Sequence, residues 1–338
     1  MSDEELELNN DQVPFQHLSP DVILNAISDC GYVVDGTFIA LNSYENRVYQ
    51  VGIEGESPVV VKFYRPGRWS DEAILEEHSF SLMLAENEIP LVPPVKDEED
   101  QTLHKYQGYR FSIFQRKGGR WPDLDKRENL SWIGRFIGRI HAVGAVTPFQ
   151  HRITLGIDNY GVQAYQFLLE KGFLPLELET QYRDTAEEVL QYVEQAYVRA
   201  EGFKQIRLHG DCHPGNILWR DQGPHFVDLD DCCTGPAIQD IWMLLSGSYD
   251  EMCGQLSAVL QGYCEFMPFD ARELHLLEAL RTLRMIHYSA WLARRWDDPA
   301  FLKNFTWFNT RPYWEEQIHV LQQQSVLINE SPLEWYRV

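Results

Sequence analysis

The chain has 338 residues, 44% of them hydrophobic and including 10 Trp, 16 Tyr and 17 Phe, which is too long for one simple core and too rich in core material for a disordered chain. Lys and Arg number 29 against 51 Asp and Glu, a formal charge of −22; such a surface cannot generally neutralise a phosphate backbone or bind an anionic bilayer, so nucleic-acid and membrane partners are excluded. The six cysteines, with Cys232 and Cys233 adjacent, are too sparse for a disulfide scaffold, which points to reduced thiols and a cytoplasmic setting.

Residues 1–14 are expected to form a loose acidic tail. The opening MSDEELELNNDQ lacks the basic and apolar regions of a signal peptide, and no apolar stretch approaches the length of a membrane span. Residues 19–30 read as a helix, with Ser19 at the N-cap, Pro20 at the first helical position and Gly31 ending it. Three β-branched runs follow, at 36–41, 46–53 and 58–64, joined by short polar connections as in an antiparallel meander. Residues 70–87 read as a helix capped by Ser70, and 102–106 and 109–115 as two more strands.

After Lys117-Gly118-Gly119 the character changes. Helices are expected over 129–143 and 162–200, short strands at 204–209 and 226–231, and almost wholly helical structure from 237 onward. The expected fold class is therefore α+β and bilobal. Residues 15–116 form a small antiparallel-sheet lobe with one helix, for nucleotide binding. Residues 117–338 form a larger, mostly helical lobe carrying the catalytic loop, the metal site and the substrate region.

The densest polar cluster is LHGDCHPGNIL, residues 208–218. Within it His209, Asp211 and Asn216 form H-x-D-x-x-x-x-N, and Asp228 follows twelve residues later in FVDLDD. A carboxylate, a carboxamide five residues on and a second carboxylate further along suit phosphoryl transfer. Asp211 would accept the hydroxyl proton, while Asn216 and Asp228 would hold Mg²⁺ against the phosphates of ATP, Asp228 thus being both catalytic and a metal ligand. Turn formation around Pro214-Gly215 is the plainer explanation of Asp211 and Asn216 taken alone.

Phosphoryl transfer also needs a cation on the α/β-phosphates. Lys62 interrupts the apolar run Val59-Val60-Val61-Lys62-Phe63-Tyr64, a costly place for an ammonium without a partner. Glu77 is the chosen partner on the following helix, with Glu76 as the alternative. An outward-facing lysine on an edge strand is the competing explanation. No G-x-G-x-x-G or Walker-type loop is present. Between the first two strands, Ser43 is expected to contact phosphate from a hairpin loop whose backbone N–H groups do the rest.

These residues resemble the aminoglycoside phosphotransferase/choline kinase-like branch of the protein-kinase-like fold. The matching positions are His209-Gly210-Asp211 through Asn216, Asp228, Lys62, Gly235-Pro236 with Asp240, and Ile137-Gly138-Arg139-Ile140-His141. Within that branch, LNSYENRVYQ, VVVKFYRPGRW and LHGDCHPGNILWRDQGPHFVDLDD resemble the bacterial stress response kinase A family over most of residues 15–330. The resemblance implies a cytoplasmic, Mg²⁺- and ATP-dependent kinase acting on Ser/Thr of proteins in stress tolerance. A monomer is expected, and a kinase for aminoglycosides, choline or another amino-alcohol is the alternative. It further implies that Asp240 braces the catalytic loop.

ATP is then expected near the 109–119 connector, with backbone groups from Ile113 to Gln115 pairing with adenine. Asp230 would be a supporting carboxylate or a second metal ligand. Ordinary protein kinases carry Arg where this chain has Gly210 and Phe-Gly where it has Leu229-Asp230. An activation-loop phosphate switch is therefore not expected.

Three other readings compete. Cys212, His213, Cys232 and Cys233 could suggest zinc, but their spacing is not that of a standard site. Trp291, Trp296, Trp307 and Trp314 could form a cage for a quaternary amine, although helical core is the better reading. A binding module that has lost catalysis is disfavoured because Lys62, Asp211, Asn216 and Asp228 are all present. A nuclease using Asp228, Asp230 and Asp231 leaves Lys62 unexplained.

Overall fold

A computed structural model describes residues 14–220 and 223–336, so the expected tail lies outside the described residues except for Pro14. The chain divides into two compact units, Met1–Arg120 with Leu218–Asp230, and Trp121–Ile217 with Asp231–Val338.

The first unit opens with α1 (Pro20–Asp29), where the Ser19 hydroxyl accepts from the Val22 N–H and Pro20 occupies a position that needs no donor. Then come β1 (Val34–Ala40), β2 (Arg47–Ile53), β3 (Val59–Phe63), α2 (Asp71–Glu86), β4 (His104–Tyr106) and β5 (Tyr109–Gln115). The strands form one antiparallel sheet in the order β1-β2-β3-β5-β4. Alternation along the central strands sends Val51, Ile53, Val61, Phe63, Phe111 and Ile113 into one core with Ile23 and Ile27 of α1. Burying a side chain such as Phe63 contributes about 2–3 kcal/mol. β3 is central rather than an edge, and Lys62 sits on it opposite Val48 and Ser112.

The second unit contains α3 (Arg127–Gly144), α4 (Gln163–Glu170), α5 (Leu176–Arg199) and β6 (Ile206–Leu208). The chain continues through β7 (Ile217–Arg220) and β8 (Gly223–Phe226) and returns in β9 (Cys233–Gly235), which pairs antiparallel with β6. α6 (Gln239–Trp242), α7 (Tyr249–Tyr263), α8 (Leu277–Ala293), α9 (Pro299–Asn304) and α10 (Arg311–Leu327) complete it. α3 and α7 touch backbone to backbone. A Cβ on Gly134 would lie 2.0 Å from the Val259 carbonyl oxygen, and one on Gly138 2.6 Å from that of Tyr263. Only glycine permits that approach, and it brings His141 on α3 into the interior. Among the described residues no helix is long and apolar enough to cross a membrane.

Two expectations need correction. The segment Leu218–Asp230 belongs to the first unit, not to a second lobe running unbroken from 117. Arg120 and Trp219 exchange backbone hydrogen bonds of 3.1 and 2.6 Å, and the Phe226 N–H donates to the Pro90 carbonyl at 2.8 Å. Asp228 is therefore a residue of the sheet-bearing unit. Nor is 226–231 a strand. β8 ends at Phe226, and Asp228 takes φ of 61°, a left-handed conformation that cannot continue a ladder but that a short polar side chain tolerates.

Of the four tryptophans from Trp291 to Trp314 only Trp314 is core; Trp291 and Trp296 are partly buried and Trp307 is exposed. Trp314 is fully buried against Tyr182, Phe308 and Tyr313. Trp291 packs on Phe301 and Phe305, with the Arg295 guanidinium 5.0 Å from its ring centroid.

Candidate active site

In the first unit the site is organised by Lys62. The residue is 6% exposed, and its ammonium lies 3.1 Å from Asp228 Oδ1, 3.2 Å from Asp230 Oδ1 and 3.5 Å from Glu77 Oε1. Burial pulls the lysine's pKa down, but Asp230, Glu77 and Asp228 outweigh it and hold the pKa well above its usual value. α2 supplies Glu77, itself buried, from the helical face turned to the sheet. Glu76, the alternative partner, is only partly buried on the same helix.

Asp230 is a hub. It receives Nδ2 of Asn46 at 3.1 Å and an Nη1 hydrogen bond from Arg68, in addition to Lys62. Asn46 also accepts from the Arg65 N–H at 3.0 Å, which ties the loop after β1 to the end of β3. The Asp228 side chain, by contrast, is 53% exposed. Its backbone strain at a polar, partly exposed position is of the kind that clusters at functional sites.

Ser43 lies in the β1–β2 loop, partly buried, in a stretch that includes Asn46. Gln115 is the last residue of β5, exposed and opposite Val59. The Ile113 carbonyl, in the segment expected to pair with adenine, accepts from the Val95 N–H at 2.7 Å. Asn46, Arg65 and Arg68 are polar participants that pattern reading passed over. An asparagine and two arginines around a strand end look like surface residues until the fold buries them.

In the second unit the chain leaves β6 through His209, Gly210 and Asp211. Gly210 has φ of +86°, and a Cβ there would lie 2.1 Å from the Asp231 carbonyl oxygen. That explains why no arginine stands at this position: only glycine fits both the backbone conformation and the space. Asp240 of α6, 1% exposed, fixes the loop. Its Oδ2 accepts from the His209 N–H and its Oδ1 from the Gly210 N–H, both at 2.8 Å. Oδ2 also meets His141 Nε2 at 2.9 Å. Gln239 adds a bond to the Gly210 carbonyl at 2.9 Å.

The Asp211 carboxylate is held beyond this brace. Burial alone would raise its pKa, yet Arg284, His213 and His209 bring it below the usual aspartate value. Arg284 Nη1, from α8, is 2.7 Å from Oδ1, and His213 Nε2 is 3.5 Å from Oδ2. Nothing in the spacing of the motif pointed to Arg284, which lies 73 residues downstream. Asn216 donates Nδ2 to the Asp211 carbonyl at 3.0 Å. The amide's nitrogen is thereby oriented toward the loop, which leaves its oxygen as the acceptor end.

Asp228 in the first unit offers a half-exposed carboxylate, and Asn216 in the second a carboxamide oxygen; each is the kind of oxygen donor that a hard divalent cation takes. Among the described residues no group of three or more His, Cys, Asp or Glu side chains is arranged to hold a metal ion. Cys212 and Cys233 are buried, and burial pushes both thiols well up.

Comparison with known proteins places this geometry. The model of the phosphotransferase enzyme family matches residues 37–301. Stress response kinase A of Escherichia coli strain K12 is 44% identical over 327 residues, covering 97% of this chain and 98% of that protein. The serine/threonine protein kinase RdoA of Salmonella typhimurium strain LT2 is 42% identical over the same shares. Among solved structures, the amicoumacin kinase hAmiN, in complex with AMP-PNP, Ca²⁺ and Ami, aligns at a TM-score of 0.67. Identity there is 17%, with 90% of this chain and 92% of that one covered. A microcompartment-associated aminopropanol kinase aligns at 0.66 with 16% identity, over 92% and 96%. At such identities these two establish the shared α+β kinase-like fold.

Proposed function

Because the chain belongs to the phosphotransferase enzyme family, and within it to the stress response kinases, we propose that it transfers the γ-phosphoryl group of ATP to Ser/Thr hydroxyls of protein acceptors in a Mg²⁺-dependent reaction of the bacterial stress response. The observation that carries this reading is Lys62. Replacing a buried ion pair by well-packed apolar groups is often neutral or stabilising, so a buried ammonium set beside three carboxylates, one of them half exposed, argues for ligand binding rather than stability: the surplus carboxylate suits a divalent cation and the ammonium the phosphates that come with it.

Lys62, steadied by Glu77 and Asp230, binds the α/β-phosphates. Ser43 adds a donor from the β1–β2 loop, and the backbone near Gln115 takes the adenine. Asn216 and Asp228 would hold Mg²⁺, which when bound neutralises charge on the phosphates. Asp211 orients the acceptor hydroxyl and takes its proton as the oxygen–phosphorus bond forms and the bond to the ADP oxygen breaks. A lowered basicity at Asp211 does not oppose this role, since a loose transition state needs little proton transfer before the phosphoryl group has moved. Asp240 holds the loop that carries Asp211 and acts through it.

The test is transfer from γ-labelled ATP, first to the protein alone and to generic proteins, then to a panel of amines, alcohols and aminoglycosides. Label on protein Ser/Thr supports the proposal, and label confined to a small molecule assigns the alternative kinase activity. Asp211→Ala and Asp228→Ala should each abolish most transfer, with only Asp228→Ala also losing Mg²⁺-dependent nucleotide binding. Wild-type turnover in a folded Asp211→Ala variant would remove the assigned base.

A further inference from the structure

Beside Asp211 the second unit opens a cavity of about 440 Å³. Its walls come from α6, the start of α7, α8 and the catalytic loop. The chemistry of these walls departs from the chain as a whole. Arg281 and Arg284 of α8 and His213 of the loop line the cavity, together with Trp242, Met243 and Met252. Among the described residues no Asp or Glu lines it, in a chain with a formal charge of −22.

Each lining arginine is held through one nitrogen by a carboxylate outside the lining: Arg281 Nη1 by Glu278 at 2.8 Å and Arg284 Nη1 by Asp211 at 2.7 Å. Glu251 closes the capping box of α7 through Ser248. The Arg281 guanidinium also lies 5.5 Å from the centroid of the Trp242 ring, within cation–π reach. A pocket for aminoglycosides or choline needs carboxylates or unoccupied aromatic faces. This one has two guanidinium groups at its wall, each with further N–H donors besides the Nη1 paired with Glu278 or Asp211, and such donors match a carboxylate or phosphate.

We propose that this cavity is the acceptor subsite and that it selects Ser/Thr segments carrying acidic side chains next to the phosphorylated hydroxyl. The inference rests on the protein-kinase reading above and names its substrate class. Arg284 links recognition to chemistry: it lines the cavity and at the same time lies 2.7 Å from Asp211 Oδ1. An acceptor carboxylate seated on Arg281 and Arg284 brings the neighbouring hydroxyl to Asp211. Met243 and Met252 supply adaptable apolar contact for the rest of the segment. Ser246 and Gly247, exposed at the mouth, leave room for an extended chain to enter.

The experiment compares three serine peptides of equal length, with Asp/Glu, Ala or Lys/Arg flanking the serine, in transfer from γ-labelled ATP by the full chain. The acidic peptide should be preferred over the neutral one by roughly tenfold in kcat/KM, about the strength of one charge-assisted hydrogen bond at a half-exposed site. Arg281→Gln should erase that preference, bringing the ratio of kcat/KM for the acidic over the neutral peptide to about one, mainly through KM for the acidic peptide. The KM for ATP should stay as in the wild type.

Arg281→Glu should turn the preference toward the basic peptide. Because either change leaves Glu278 without its partner, Arg281→Lys serves as the folded control, keeping charge and part of the preference. Peptide labelling with no acidic preference, or a preference that survives Arg281→Gln, overturns the subsite while leaving the protein-kinase reading in place. Label on small molecules but on none of the peptides overturns both.

Discussion

Asp240→Asn tests the brace of the catalytic loop with a change of a single atom. The carboxylate is 1% exposed and serves three donors: the His209 N–H and His141 Nε2 at Oδ2, and the Gly210 N–H at Oδ1. An asparagine keeps one oxygen. If that oxygen serves His209 and His141, its amide group faces the Gly210 N–H, donor to donor. One charge-assisted bond is lost outright, one buried donor is stranded, and the two surviving bonds lose the charge that strengthens them.

At about 1–2 kcal/mol for the stranded donor and about 1 kcal/mol for the weakened pair, the variant should be roughly 3 kcal/mol less stable. Urea unfolding followed by circular dichroism measures this. The kinetic signature should be a kcat reduced at least tenfold, with a smaller change in the KM for ATP, because Lys62, Ser43 and the backbone near Gln115, assigned to the nucleotide itself, belong to the first unit. A loss below about 1 kcal/mol would mean that the carboxylate's charge is not what holds His209 and Gly210, and the proposed brace would fail. A matching rise in the KM for ATP would break the division of labour between the two units.

The remaining predictions follow from single residues. Gly210→Ala forces a Cβ to within 2.1 Å of the Asp231 carbonyl oxygen at a positive φ, so stability should fall by about 2–4 kcal/mol and transfer should be lost; a thermally wild-type, active variant would contradict it. Lys62→Met should weaken ATP binding and cut turnover by roughly 10²–10³, measured by nucleotide titration and initial rates, and an unchanged nucleotide affinity would remove the lysine from the ATP site.

Glu273 is held in the interior, where burial pushes its carboxyl pKa up to about 7 from an ordinary 4.5. The folded protein therefore binds this proton more tightly than the unfolded chain does. The stability from that proton is fully present below 4.5 and is lost as pH rises through 7. Glu273→Gln should accordingly raise Tm by roughly 5 °C at pH 8 and leave it almost unchanged near pH 4.5; equal shifts at both pH values would refute the assignment.

Much of this protein could be read from local chemistry. The alternation of β2 and β3, the serine caps of α1 and α2, and the spacing from His209 to Asn216 each depend on neighbours a few residues apart, so linear order preserves them. Lys62 declared itself in the same way, as a charge among valines that had to have a partner. What linear order cannot carry is which distant groups become neighbours. Asp228 looked like a strand residue of the helical part, whereas backbone pairing at Arg120 and Pro90 draws 218–230 into the sheet-bearing unit and a left-handed turn ends the strand before it. Asn46, Arg65 and Arg68 became members of a buried network only once Asp230 was set among them. Arg284 reached Asp211 only because α8 packs beside the catalytic loop. The sequence by itself determined which side chains could do chemistry, since reactivity and local propensity are properties of short segments. Tertiary structure alone decided their charge partners and the sign of the charge lining the cavity, because electrostatic environment depends on distance through space.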